Sequence, residues 1–248
     1  MTLLCTKGSI DFEPVVFMNK NLLIVGRTRS DRQNITSLFL EWFSEARRVD
    51  SVTGDELSIS LADIIIFASS AGRFPETLEH CRLRKRTLII VSSGIKLPAD
   101  FVPTAPVIMA PNLALLICAL FEVLPQLGVL ARRLGAQTQV VEAHQASKAS
   151  AAVTASRMAE MFGVPEDEIG HIRSDAVAGA VLSVPSEYLG GFAQHFVAVT
   201  VGGVKVTIRT EIVGRDAYAE GLKILLGAME KKFLKPGVYD AHKLVFGD

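Results

Sequence analysis

The apolar positions of the first hundred or so residues come in short, unbroken runs. Asn21–Gly26 sets four apolar residues before a glycine, and Ala62–Phe67 contains three successive isoleucines. Thr87–Val91 and Val107–Ala110 repeat the pattern. Runs this short and this continuous predict strands buried on both faces, as in a parallel sheet. Val49-Asp50 fits a further, shorter strand. Between the runs the apolar spacing lengthens to that of a helix. Ile35, Leu38, Phe39 and Trp42 mark one over 35–43, and Pro75–Arg84 reads as another. Strands alternating with helices predict an α/β chain with a doubly wound, Rossmann-like parallel sheet. In such sheets ligands sit beyond the carboxyl ends of the strands. Gly26, Ser69, Ser70, Ser92, Ser93 and Asn112 fall there.

The pattern changes in the second half. A long helix is predicted over Asn112–Leu134, and then the segments alternate. Gln194–Val201 and Gly203–Ile212 pair as a hairpin through Gly202-Gly203. Thr138–Glu142 and Val181–Val184 are expected to join them in a mixed sheet with one covering helix. A last helix is predicted over Ala217–Phe233. The expected organisation is therefore two domains. Residues 1–113 with 217–248 form the Rossmann-like one, and 114–216 form an α+β domain with a mixed β-sheet. Residues before Met18 read as an extension with no assigned role.

Composition narrows the function classes. Lys+Arg and Asp+Glu both number 26, so nucleic acid is not the expected main partner. Cys5, Cys81 and Cys118 are too few and too scattered for a disulfide framework or a zinc site, and no metal-binding residues are expected. The start shows neither the basic residues nor the apolar core of a signal peptide. The most apolar run, Leu113–Phe121, is cut by Glu122 and Pro125, too short to span a bilayer, and is expected as a buried helix. These features predict a cytoplasmic protein without a membrane partner.

The chemistry concentrates in 140–151. Val140 and Val141 end a strand; then Glu142, His144 and Lys148 follow before a helix predicted from about Ser150 to Phe162. A strand end feeding a helix start offers free N–H groups and a positive dipole end. His144 can exchange a proton near neutral pH, and Lys148 can donate one or carry fixed charge.

In this stretch the chain resembles the dihydrodipicolinate (4-hydroxy-tetrahydrodipicolinate) reductases. That family carries a strand-end motif E-x-H-H-x-x-K-x-D-A-P-S-G-T-A, and Glu142, His144 and Lys148 match at the same spacing. The likeness runs on in order. It takes in Asp63–Ser70 with Pro75–Cys81, Leu88–Ile95, Ala110–Asn112, Arg215–Gly221, Gly237–Asp240 and Val245–Gly247. The resemblance implies a reductase of lysine and diaminopimelate synthesis that moves hydride from NADH or NADPH to a cyclic imine. It assigns Lys148 as proton donor and His144 as the residue that positions substrate or stabilises charge. It also implies assembly into a homotetramer through the second sheet. Apolar residues on both parities of Phe196–Val201 suit burial on two faces.

The departures are specific. Gln145 replaces the second motif histidine, keeping a hydrogen-bond donor that does not titrate. The D-A-P-S-G-T run has become Ser150–Ala155, so the Gly-Thr pair that holds a substrate carboxylate in the family is missing. Thr154 offers a hydroxyl one position early. Of the glycines in the nucleotide loop G-x-x-G-R-M-G only Gly26 remains. Arg27, Arg29 and Arg32 either contact phosphate by side chain or are simply solvated. Asp50, 24 positions after Gly26, suits a ribose-binding carboxylate and hence NAD. Arg47 and Arg48 beside it suit the 2′-phosphate of NADP, and an exposed loop aspartate fits as well. Two other readings stay open: an imine reductase of a different pathway, and a catalytically silent homologue kept for binding or assembly. Long arginine side chains lose entropy on ordering, so nicotinamide binding is expected to be weaker than a glycine-complete loop gives. Fluorescence titration with NADH and NADPH should return dissociation constants above the submicromolar range; submicromolar affinity for either would contradict this.

Overall fold

A computed structural model describes residues 20–26, 35–49, 61–148 and 153–247. Two sheets carry the chain. The first is all parallel among the described residues, in the order β10-β5-β4-β3-β1-β2. Its strands are β1 (Leu22–Val25), β2 (Arg47–Val49), β3 (Ile64–Phe67), β4 (Thr87–Ile90), β5 (Pro106–Met109) and β10 (Gly237–Asp240). The chain runs outward from β1 to β2, returns to β3 on the other side, and so creates a switch point between β1 and β3. Every residue of β1 and β3 is buried, as their unbroken aliphatic runs require.

The two faces divide by parity. Leu22, Ile24, Ile64, Ile66, Ile89 and Ile108 meet α1 (Ile35–Trp42), α6 (Asp216–Glu230) and α7 (Ala241–Phe246). Leu23, Val25, Ile65, Phe67, Leu88, Ile90 and Val107 meet Phe74, Leu78 and Cys81 of α2 (Phe74–Arg84). The predicted elements are present, shifted by one to three residues at their ends. The helix expected to be the last stops at Glu230 rather than Phe233; β10 then inserts beside β5 and a further helix, α7, follows it.

The second sheet is mixed, in the order β7-β6-β8-β9. It contains β6 (Gln137–His144), β7 (Gly170–Ile172), β8 (Phe192–Val201) and β9 (Val204–Val213). Gly202 and Gly203 both have positive φ, 55° and 79°, the tight hairpin geometry that glycine permits without strain. Two expectations are corrected here. Val181–Val184 is not a strand. It closes the end of α5 (Asp175–Ala180), with Val184 N donating to Ala178 O and Ser183 at φ 59°; β7 takes the place beside β6. The sheet is covered by two helices rather than one, α3 (Leu115–Arg133) and α4 (Val153–Phe162), which share one core with Val140, Val197 and Val199.

The expected buried helix is α3, and it is buried on one face only. Ile117, Phe121, Leu124 and Ala131 face the core, whereas Leu116, Val123 and Leu130 are exposed. It is long and apolar enough to cross a membrane by length and composition, and Pro125 lies within it.

Gly221 on α6 joins the two halves. A Cβ there would overlap the carbonyl oxygen of Leu113, just before α3. Gly221→Ala should therefore cost about 1–3 kcal/mol of unfolding free energy through overpacking against backbone. Gly227→Ala on the same helix meets nothing within 4 Å and should be neutral or stabilising by up to about 1 kcal/mol. Urea denaturation of the two variants checks the contrast.

Candidate active site

The site grows from a row of polar residues laid across the second sheet. Register places His171 of β7 beside Glu142 of β6, Glu142 beside His195 of β8, and His195 beside Thr210 of β9. The face is the one the helices cover, where Val140 and Val197 build the core. Polar groups on that face must find partners inside the protein. Glu142 is fully buried. Its Oε1 accepts from His171 Nδ1 at 2.9 Å and from the Arg173 guanidinium. Burial pushes the Glu142 carboxyl up, but Arg173 and His171 outweigh it and hold the group below the usual carboxylate range. The carboxylate therefore stays charged. Its Oε2 has no hydrogen-bond partner.

His144 lies one step further along β6, 8% exposed. Its Nδ1 is 3.1 Å from Phe192 O, and its Nε2 is 3.4 Å from Glu142 Oε2. A carbonyl only accepts, so this contact places the ring proton on Nδ1. Burial first, and Lys148 second, push the His144 pKa down to about 4. His195 hydrogen-bonds Thr210 Oγ1 through Nδ1 at 2.9 Å, and burial pushes it to about 4 as well. The two imidazole rings meet edge to face, 5.7 Å between centroids. Lys148 is half-buried, and burial lowers its pKa. A lysine so placed gives up a proton more readily than one in water.

A cavity of about 390 Å³ brings His144, Gln145 and Lys148 together with Ser92 and Ser93 at the carboxyl end of β4. An adjoining space of about 210 Å³ adds Asn112 and Thr154, with His195, Arg157 and Tyr218. Seven predicted site residues thus share one region: His144, Gln145, Lys148, Ser92, Ser93, Asn112 and Thr154. Two of them have structural duties. Ser92 Oγ donates to Ser69 O at 2.7 Å, tying the loops after β3 and β4, and Asn112 Oδ1 accepts from Ala114 N at 2.9 Å at the start of α3. Gly26, Ser69 and Ser70 line neither space. They stand at the ends of β1 and β3, beside the switch point. Gly26 is packed closely, since a Cβ there would overlap the Thr36 hydroxyl. Arg27 and Asp50, with Arg29 and Arg32, lie outside the described residues.

Sequence reasoning overlooked His195, His171, Arg173 and Arg157 as site residues. His195 had a signal, being a titratable residue at the inward parity of a strand whose neighbours Ala193, Val197 and Val199 are apolar. Arg173 had none, because β7 was not foreseen.

No protein-family model matches the chain. It is 26% identical over 195 residues to the 4-hydroxy-tetrahydrodipicolinate reductase of Geotalea uraniireducens, spanning 72% of this chain and 71% of that protein. The same enzyme of Geotalea daltonii is 24% identical over 202 residues, with the same coverage. Both relatives are 4-hydroxy-tetrahydrodipicolinate reductases, and the chain is similar to them at about a quarter identity over nearly three quarters of its length. In fold it is similar to a dipicolinate-bound dihydrodipicolinate reductase from Paenisporosarcina, with a TM-score of 0.53, 14% identity, and 91% and 90% of the two chains covered. This likeness supports an oxidoreductase of the dihydrodipicolinate-reductase kind.

The Glu142–Arg173 contact should be the energetic centre of this polar row. Removing one partner of a buried pair leaves an uncompensated charge and typically costs about 3–5 kcal/mol. Arg173→Met should reach the lower end of that range, because His171 still donates. Adding Glu142→Gln to Arg173→Met should recover part of the loss. A double-mutant cycle by chemical denaturation measures both.

Proposed function

We propose that the chain is an NADH- or NADPH-dependent reductase that delivers hydride to the C=N carbon of a cyclic imine related to dihydrodipicolinate. The observation that carries the reading is Lys148, half-buried beside His144 in a cavity whose opposite wall is the carboxyl end of the parallel sheet. The sheet's parallel order, its switch point and the hydroxyl and amide groups at its strand ends suit a dinucleotide. Gly26, Ser69 and Ser70, with Arg27 and Asp50, are the proposed nucleotide contacts; Ser92, Ser93 and Asn112 are those nearest the cavity. When bound, reduced nicotinamide supplies the hydride.

The chain's own residues do the rest. Addition of hydride to carbon leaves the imine electron pair on nitrogen, and the Lys148 ammonium gives that nitrogen its proton. Burial has already brought the lysine towards its neutral form, so the transfer is eased. His144 is fixed by Phe192 O and acts as a rigid polar wall. Gln145 and Thr154 are the proposed substrate contacts, supplying an amide and a hydroxyl where the family has His and Gly-Thr. Residues 1–113 with 217–248 would serve as the nucleotide domain and 114–216 as the substrate domain. The second sheet's other face, with Val141, Phe196 and Ala198 half-buried, would assemble copies of the chain into a homotetramer.

General acid catalysis typically contributes about 10²–10⁴-fold. Lys148→Ala should lower kcat by that order and leave nicotinamide affinity nearly unchanged. Steady-state kinetics with dihydrodipicolinate, paired with NADH and NADPH fluorescence titration, test this. Full turnover in the variant would remove Lys148 from the mechanism. Absence of nucleotide oxidation with any cyclic imine would favour the silent-homologue reading.

A further inference from the structure

Three atoms able to ligate a metal meet beneath α4. Glu142, His144 and His195 each offer one ligand atom, and these lie within 4.8 Å of one another. All three residues are buried. The other polar atom of each is already committed. Glu142 Oε1 takes His171 and Arg173, His144 Nδ1 takes Phe192 O, and His195 Nδ1 takes Thr210 Oγ1. What remains is the orphaned Glu142 Oε2 and the two Nε2 atoms. With its proton on Nδ1, His144 turns a lone pair towards a carboxylate oxygen 3.4 Å away. Two acceptors facing each other in a buried space repel unless a cation lies between them.

We propose that Glu142, His144 and His195 form a site for a divalent transition-metal ion of the zinc class. Two imidazoles and a carboxylate, with a fourth position open, are a known zinc ligand set. Metal–ligand bonds of about 2.0–2.2 Å give a tetrahedral edge of about 3.4 Å, which matches the Glu142–His144 spacing. His195 closes the remaining edges by a small rotation of its side chain. The outer contacts are those of a metal centre. Each imidazole is oriented through its other nitrogen, and the carboxylate through its other oxygen. The fourth position faces the space lined by Lys148, Thr154 and Arg157, where a water or the oxygen of an anionic ligand completes the shell. Arg173 on the same carboxylate reduces its charge, so affinity is expected to be lower than in structural zinc sites. The inference does not rest on the reductase reading, because metal uptake is read without nicotinamide or substrate.

The test uses the full chain, stripped with a chelator and dialysed. Zn²⁺ uptake is followed by calorimetry and elemental analysis, and Co²⁺ by visible absorption. The expected result is one ion per chain with the absorption bands of a four-coordinate nitrogen–oxygen site. His195→Gln should weaken binding by at least about 100-fold, and Thr210→Val, which touches only the orienting contact, by about 10–100-fold. Circular dichroism confirms that both variants fold. The half-buried His242, which contacts Asp240 and Glu122, is the internal control. Loss of uptake on His242→Ala with none on His195→Gln would place the ion elsewhere and overturn the proposal, as would failure of the folded wild-type chain to take up either ion.

Discussion

A carboxylate with no exposed surface has to be neutralised from inside the protein, and Glu142 is that carboxylate. The requirement explains why β7 lies where it does. Only a strand parallel to β6 in this register sets His171 beside Glu142 and delivers Arg173 just past the strand end. The same row extends through His195 to Thr210, so four strands are locked in register by side-chain polarity as well as by backbone hydrogen bonds. A one-residue slip of any of them would turn its polar members to the opposite face. His144 inherits its position from this arrangement, being two residues along from Glu142 on the same face and held by Phe192 O.

The parallel sheet could be read from the sequence because its strands carry their evidence locally. A run such as Ile64–Phe67 is buried on both sides and needs no polar residue to orient it. The hairpin was equally plain, since Gly202-Gly203 supplies the two positive-φ positions the turn demands. β7 was hidden for the opposite reason. Gly170-His171-Ile172 has one apolar side chain in three, and what makes it a strand is the distant Glu142 rather than its own propensity. Val181–Val184 misled in turn, because β-branched residues suggest a strand. Yet Ser183 sits in the left-handed region, and Leu182 and Val184 donate back to the helix before them. At the site, Glu142, His144 and Lys148 stood in one motif and were visible together. Their partners His195 and Arg173 come from β8 and from just past β7, and only the register of the second sheet unites them, while α4 adds Arg157 to the same space.

Two of the changed motif positions fall on the cavity, whereas Ala155 packs in the core of the second sheet. Gln145 and Thr154 line the cavity, whereas Glu142 and the residues that neutralise it lie beneath.

The parallel sheet is finished late. β10 pairs with β5 although the whole second sheet lies between them in sequence, and α6 supplies Leu222, Leu225 and Leu226 to the face formed by Ile24, Ile66 and Ile108. During synthesis the first five strands therefore leave the ribosome well before α6 and α7 complete their cover. For that interval β5 is an edge awaiting its partner and one aliphatic face is covered by α1 alone, conditions under which nascent chains associate wrongly. The second sheet, contiguous in sequence from β6 to β9, can fold while the first waits. Correct maturation then depends on the last thirty or so residues arriving before the open edge finds another strand.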